Sequence, residues 1–442
     1  MGPAEPGLVS ALSRHRRCDL ASMIAMVAGV LVGAYERDNF GDILFLEQTR
    51  HYLGGIESVA CAPSSGDTSA VGGDAVEAYS AVFARSEIRF VWTVGGEAGA
   101  TSVGDALRMS GGSLEPSSLG MITSSASPYL PRPTRHVATA RVPAIVNSVG
   151  ISGVATLHGA RRLEAIASLR EASFLSVRDR ASAELLRSLS ITHAVSPDLV
   201  QTLRLTADLR QNPSPDIAIV QAKAARIRQI GITRFADALR TSFALSRFRI
   251  RLFSAGEAPG HDSTELLANV ADEFRRRGGG DRIDVSTART ALDKASEIAR
   301  SGFWAGTSLH GFIIATAFAV PRVGLLLKKV EQYANSWDIP YPTGVSLRHL
   351  DRAVESAERI GSTGGGDDHR LADSLARHAE SNIAEAVQVV VANHPEDRVA
   401  SAELLEHEFR RLTPARRMIQ MQQVAGRRVA SKLGGSLRRR SI

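Results

Sequence analysis

Short apolar runs alternate with helical patterns along most of this chain. Candidate strands fall at 29–35, 57–61, 89–95, 144–149 and 173–178, and then at 216–221, 248–254, 282–285, 302–305 and 322–327. Between them, apolar residues recur at helical spacing: Leu185, Leu186 and Leu189 form one stripe, and Leu266, Leu267, Val270 and Phe274 another. Strand–helix alternation of this kind predicts an α/β fold with parallel sheets covered on both faces. The first run, 23–34, follows Arg14, Arg16 and Arg17 and so has the charge and length of a secretory signal. It leads, however, into a polar loop and then into Ile43, Leu46 and Leu53 at helical spacing. That order reads as strand, tight loop and helix.

The pattern breaks at Gln211-Asn212-Pro213-Ser214-Pro215-Asp216, where two prolines stop a helix and bias the residue before each away from it. A fresh apolar run, 217–220, begins at once. The chain is therefore divided into an N-terminal extension (1–22), a first Rossmann-like domain (23–212), a second (213–360) and a helical extension with a basic tail (361–442). Gly72-Gly73, Gly111-Gly112 and Gly278–Gly280 read as loop punctuation, and Gly361–Asp368 as the close of the second domain. Residues 371–391 and 401–412 read as helices. Two such domains in tandem place a cleft between the C-terminal edges of their sheets, where ligands of parallel sheets bind.

Charge changes the picture less than its total suggests. The 442 residues carry a net charge of +7, from 53 Lys and Arg against 46 Asp and Glu. Ten of those cations, and no acid, lie between Arg410 and the end, leaving −3 on residues 1–409. Basicity thus belongs to the tail, which has no aromatic residue for stacking on bases, so nucleic acid is an unlikely partner. An anionic membrane surface is the sharper expectation for the tail, set against a merely solvated one. Two cysteines, Cys18 and Cys61, are too few for a disulfide framework and suggest a reducing, cytoplasmic compartment. No apolar run reaches the roughly 18–20 residues that span a bilayer.

Chemistry-bearing residues stand where strands end and helices begin. Asn39-Phe40-Gly41-Asp42 follows the first strand, with Asp42 either a ligand-facing acid or simply the helix cap. Gly95 and Gly96 follow the third strand and suit close ligand approach. Arg178 ends the strand before Asp179 and could grip an anion, or could pair locally with Asp179 starting a helix. Thr307-Ser308-Leu309-His310-Gly311 opens an apolar helix, where dipole and amides attract anions. His261-Asp262, after Pro259-Gly260, is either a base pair for catalysis or a polar surface loop. Neither these residues nor any other cluster reads as a metal site.

In this order and spacing, Asn39–Asp42, Gly95-Gly96, Ser176-Val177-Arg178-Asp179 with Pro197-Asp198, Gly260-His261-Asp262 and Thr307–Gly311 with Ala315 and Pro321 resemble the polysaccharide pyruvyl transferase family. The segment carrying Lys328, Lys329, Tyr333, Trp337 and Asp338 also resembles the family. The likeness covers roughly residues 28–345. It implies two Rossmann-like domains similar to the GT-B glycosyltransferases, and transfer of a pyruvyl group from phosphoenolpyruvate, a co-substrate rather than a cofactor, to a glycan or its lipid-linked precursor. The implied donor-binding residues are Arg178, Ser308, Leu309, Asn39, Asp42, Gly95 and Gly96. The implied catalytic residues are His310, as acid or phosphate partner, and His261 with Asp262 on the acceptor side. The sequence departs from the family at Ser308, where arginine is common; Arg322 and Lys328 are candidate substitutes for the missing cation. Rival readings are a GT-B glycosyltransferase using a nucleotide sugar, and a degenerate member that only binds a glycan or a partner.

Overall fold

The computed structural model describes residues 29–392, apart from 36–37, 84–87, 100, 103–105, 107–108, 110–127, 136–138, 259–260 and 364. The N-terminal extension, Cys18, Gly111-Gly112, Gly260, the helix expected at 401–412 and the basic tail lie outside the described residues.

Thirteen strands among the described residues build two sheets. The first comprises β1 (Gly29–Val32), β2 (Ser58–Ala62), β3 (Gly66–Asp67), β4 (Ala75–Ala78), β5 (Val91–Val94), β6 (Ala144–Val149), β7 (Phe174–Val177) and β8 (Ala194–Val195), in the order β3-β4-β2-β1-β5-β6-β7-β8. The second comprises β9 (Ser214–Gln221), β10 (Arg249–Leu252), β11 (Ile283–Val285), β12 (Ser301–Gly306) and β13 (Arg322–Gly324), in the order β11-β10-β9-β12-β13. Every pairing is parallel except the β3–β4 hairpin. The central strands β1, β5 and β6 are buried along their whole length, as strands covered on both faces must be. Each sheet grows outward from its first strand, then returns to that strand's other side. This is the doubly wound, Rossmann-like arrangement, and the reversal falls between β1 and β5 in one sheet and between β9 and β12 in the other.

The helices that position the site are α1 (Phe40–Leu53), α2 (Arg180–Ser188), α3 (Thr264–Phe274), α4 (Leu309–Ala317), α5 (Lys328–Ser336), α6 (Leu350–Thr363) and α7 (Gly365–Ala392). One continuous core joins the halves, with Phe40, Phe45 and Trp92 of the first packed in the same cluster as Phe253, Trp304 and Phe312 of the second. The expected α3 stripe is buried at Leu266, Leu267, Val270 and Phe274.

Each of the ten expected strands is present, within a few residues at its ends. Three short strands, β3, β4 and β8, were not expected; two to four partly exposed residues are too short to show a period. Gly361–Asp368 needs a correction: apart from residue 364 it is helical, closing α6 and opening α7. Here tertiary contacts override the helix-breaking tendency of glycine. Gly361 lies against Pro321, and Asp368 is drawn into the core by Arg322. From that anchor the 28-residue α7 runs back to the first half, where Asn382 Nδ2 donates to Asn147 Oδ1 at 2.6 Å and to Ser176 Oγ at 3.0 Å.

Candidate functional site

The loops that leave β1, β5, β9 and β12 sit at the two reversal points, and among the residues singled out from the sequence they carry Asn39–Asp42, Gly95-Gly96 and Thr307–Gly311, whereas Arg178 leaves β7 and His261-Asp262 follow β10. After β1 the chain makes an Asn-capped helix start. Asn39, extended at φ −114°, accepts from the Gly41 amide at 3.1 Å. The cap is thus Asn39, while Asp42 is a buried acid in the first turn of α1, with its Oδ1 turned toward Gly96. Gly95 and Gly96 turn the chain after β5 with φ of +45° and +74°, a region that side chains rarely tolerate. The first two motifs therefore face each other across one reversal point. The β1 loop also touches the second half: the Phe40 amide donates to Ala255 O at 3.1 Å, and Asn39 pairs with Gly256.

His310 enters this junction from the other side. It lies in the first turn of α4, where Ser308 Oγ accepts from the Gly311 amide at 3.2 Å as the cap. Its ring stands edge-on to Phe45, with centroids 5.2 Å apart, and to Phe40 at 6.3 Å. Gly41 makes the approach possible, because a Cβ there would fall 1.8 Å from His310 Nδ1. His310 is only 8% exposed and its Nε2 has no hydrogen-bond partner. Burial, with the charges of Arg178 and Lys329, pushes its pKa down to about 3. The imidazole is therefore neutral near pH 7, with an uncommitted nitrogen in a dry setting. Leu309 beside it is half-buried against the core.

Arg178 is buried too, at 4% exposed, and it is already paired. Its Nη1 donates to Asp198 Oδ2 at 2.9 Å, and Asp198 is fully buried. Burial opposes the guanidinium charge, but Asp198, Glu97 and Asp179 outweigh it and keep the group protonated. Asp179 caps α2 by accepting from the Ser182 amide at 2.8 Å. The local reading of this motif holds: the arginine pairs with Asp198, Asp179 starts the helix, and the arginine's charge reaches His310. The α5 segment braces the pair. Tyr333 Oη accepts from the Asp198 amide and from Gln201 Nε2, each at 3.3 Å, and Trp337 Nε1 donates to Arg178 O at 2.9 Å.

On the second sheet a relay absent from the sequence reading appears. Gln221, the last residue of β9, accepts from the Thr307 amide at 2.9 Å and from its hydroxyl at 3.0 Å. Its Nε2 donates to both Asp262 carboxylate oxygens, at 3.1 and 2.9 Å. Asp262 also accepts from the Ala255 amide at 2.7 Å, so it holds the 255–262 loop closed from within. Burial raises its pKa to about 6 against those hydrogen bonds. His261 is half-buried beside it. The only sequence signal for Gln221 was an amide closing an otherwise apolar strand.

Arg322 does not supply the cation missing at 308. It is fully buried at the start of β13, donating to Asp368 at 3.1 and 3.3 Å, with its guanidinium 3.8 Å from the Tyr341 ring centroid. Both of its terminal nitrogens are thus spent within the core, and Nε is buried without a partner. Among the described residues no cluster of three or more His, Cys, Asp or Glu could hold a metal ion. No described helix is long and apolar enough to cross a membrane.

Similar solved structures include the UDP-N-acetylglucosamine 2-epimerase of Rickettsia bellii (9% identity, covering 82% of this chain and 97% of that one, TM-score 0.47). The UDP-GlcNAc 2-epimerase of Neisseria meningitidis bound to UDP-GlcNAc is similar at 11% identity, over 83% of this chain and 99% of that one, TM-score 0.48. An alpha-glucosyltransferase in complex with UDP and DNA follows at 9%, over 82% and 98%, TM-score 0.44. No curated protein matches by sequence. The polysaccharide pyruvyl transferase family model, by contrast, matches residues 39–327, from the cap of α1 to the residue before α5, and so takes in both reversal points. With most of its length matched, the chain belongs to the polysaccharide pyruvyl transferase family, and is a transferase that acts on glycans.

Proposed function

We propose that the enzyme transfers a pyruvyl group from phosphoenolpyruvate to two hydroxyls of a cell-envelope glycan or its lipid-linked precursor, forming a ketal. The observation that carries this reading is His310, a buried neutral imidazole with an unpartnered Nε2 in the first turn of α4, under the charge of Arg178. A donor with a phosphate and a carboxylate suits a helix N-terminus beside cations. The reaction adds a proton to the methylene carbon, which becomes a methyl. One sugar hydroxyl then attacks C2, phosphate leaves, and the second hydroxyl takes its place. Two hydroxyl protons are lost; one balances the new C–H bond and the other leaves on phosphate.

In this scheme His310 begins as a neutral ring that hydrogen-bonds the donor. The approach of an anion raises its pKa, so that it can hold the proton exchanged during addition. Arg178 spends Nη1 on Asp198 and contributes its charge, with its Nε and Nη2 facing Gly150. Asp262 and His261 line the loop on the acceptor side, with Asp262 fixing its shape. The ten cations of the tail would hold the enzyme at an anionic cytoplasmic membrane face, where a lipid-linked acceptor is found.

The test is incubation of purified enzyme with carbon-labelled phosphoenolpyruvate and envelope glycan. The expected result is phosphate release matched by label in an acid-labile ketal. Turnover of a UDP-sugar in place of phosphoenolpyruvate would overturn the reading in favour of glycosyl transfer.

A further inference from the structure

The two halves also meet at a place that the donor chemistry does not use. The helix Ala291–Arg300, between β11 and β12, packs against α1 of the first half and α4 of the second. Thr290 caps it by accepting from the Asp293 amide at 3.1 Å. Gly72, in the turn between β3 and β4, abuts that cap: a Cβ there would fall 2.9 Å from Thr290 Cβ. The buried face of the helix comprises Ala291, Lys294, Ala295, Ile298 and Ala299, so one lysine stands in an apolar stripe. Lys294 is 7% exposed, and among the described residues no ion pair or hydrogen bond holds its ammonium. An ammonium withheld from water and left unpaired is costly, and its three donors call for an acceptor.

Asp38 approaches this lysine from the first half. It directly precedes the Asn39 cap and the segment that the family model matches. Its φ of +44° is a left-handed conformation that strains a side-chain-bearing residue. The strained turn fixes it against the 255–262 loop. Its Oδ2 accepts from the Glu257 amide at 3.2 Å, and a Cβ on Gly256 would fall 2.0 Å from its carbonyl oxygen. Burial pushes the Asp38 carboxyl above its ordinary value, and Lys294 is the charge that most opposes this, although no direct ion pair joins the two. The charge of Lys294, with that of Lys223, also reaches Asp262 in the same loop. His310 feels Arg178 and Lys329 instead, so the two groups of cations act on different parts of the cleft.

An ammonium and a carboxylate that share a field without touching can hold one hydroxyl, which accepts from the first and donates to the second. An anion suits the place less, because carboxylates outnumber ammoniums there: Asp38, Glu257 and Asp262 against Lys294 and Lys223. Resting on the glycan-acceptor side of the reading above, we propose that Lys294 and Asp38 form an acceptor subsite, in which one hydroxyl of a neutral sugar is held between the two halves of the molecule.

Calorimetry of the full-length enzyme with neutral, depyruvylated fragments of envelope glycan, and no phosphoenolpyruvate, tests this. Lys294→Met and Asp38→Asn, the latter tolerant of positive φ, should each weaken binding by about tenfold or more, as loss of a charge-assisted hydrogen bond does. Because both groups hold one hydroxyl, the double variant should lose little beyond the worse single one. In steady state each single variant should raise KM for the glycan and leave KM for phosphoenolpyruvate within about twofold. Lys294→Met should also keep or raise the melting temperature, since it retains the apolar stem and removes an unpaired charge. Wild-type affinity in either variant, additive losses in the double variant, or a defect confined to KM for phosphoenolpyruvate overturns the assignment. A lowered melting temperature in Lys294→Met assigns the lysine to packing and overturns it as well. A wild-type enzyme that binds no glycan fragment overturns it too. One that binds them with these effects but turns over no phosphoenolpyruvate removes the donor reading and leaves the subsite standing.

Discussion

Arg178 and Arg322 are each buried against an aspartate, yet only Arg178 belongs to the cleft. Arg178 follows the last residue of β7, at the C-terminal edge of its sheet, and its charge reaches His310. Arg322 is the first residue of β13, at the opposite edge, enclosed by Tyr341, Phe312 and Asp368. In a parallel sheet the two ends of a strand are different places: one opens on ligand, the other on helix packing. Residue type alone made the two arginines interchangeable as donor cations. Their positions along the strands separate them.

The largest effect that sharpens this contrast is on stability. Arg322→Ala strands Asp368 in the core and opens a cavity between Phe312 and Tyr341, so unfolding free energy should fall by about 3–5 kcal/mol. Chemical denaturation measures it; a loss under about 1 kcal/mol would mean the pair is not structural. Arg178→Lys is the counterpart. It keeps a cation against Asp198 but loses the fork, so turnover should fall about a hundredfold while stability changes much less than in Arg322→Ala. Arg178→Ala would blur the comparison, because a fully buried Asp198 would be left unpaired.

Asp262 extends the comparison to a buried carboxyl with no arginine, held by Gln221 and the Ala255 amide. Its raised pKa means that the folded state holds the proton more tightly than the unfolded chain. Its contribution to stability is therefore full below the ordinary value of 3.8 and is lost as pH rises through about 6. Relative to Asp262→Asn, the wild type should lose about 1–2 kcal/mol between pH 4 and 7, read from paired melting curves. A gap that stays constant with pH would show that Asp262 does not titrate in this range.

The smallest effect per residue is expected of the ten cations from Arg410 onward. Each contributes about 1 kcal/mol at an anionic surface, screened by salt. Full-length protein should sediment with anionic liposomes at low salt and leave them at high salt, while a chain ending at Glu408 stays in the supernatant. Equal partitioning would remove the membrane role.

Much of the site was legible because its parts are local. Asn39, Gly95, Gly96, Arg178, Ser308 and His310 all follow apolar runs directly, and a run ending in a turn places them at a strand end. What escaped depends on contacts across long sequence separations. Gln221 meets Asp262 41 residues on and Thr307 86 residues on, and Asp198 meets Tyr333 135 residues on. Gly361–Asp368 looked like a break because glycine propensity was judged without Arg322, which draws Asp368 inward.

By itself, then, the sequence determined the alternation of strands and helices, the two doubly wound halves and the loops that carry the chemistry. These follow from backbone sterics and apolar burial acting over a few neighbouring residues. The tertiary structure alone decided that Arg178 is paired, that Arg322 is walled into the core and that His310 is neutral. Those outcomes depend on through-space distance and on the loss of water around a charge, and both are fixed only when distant segments pack together.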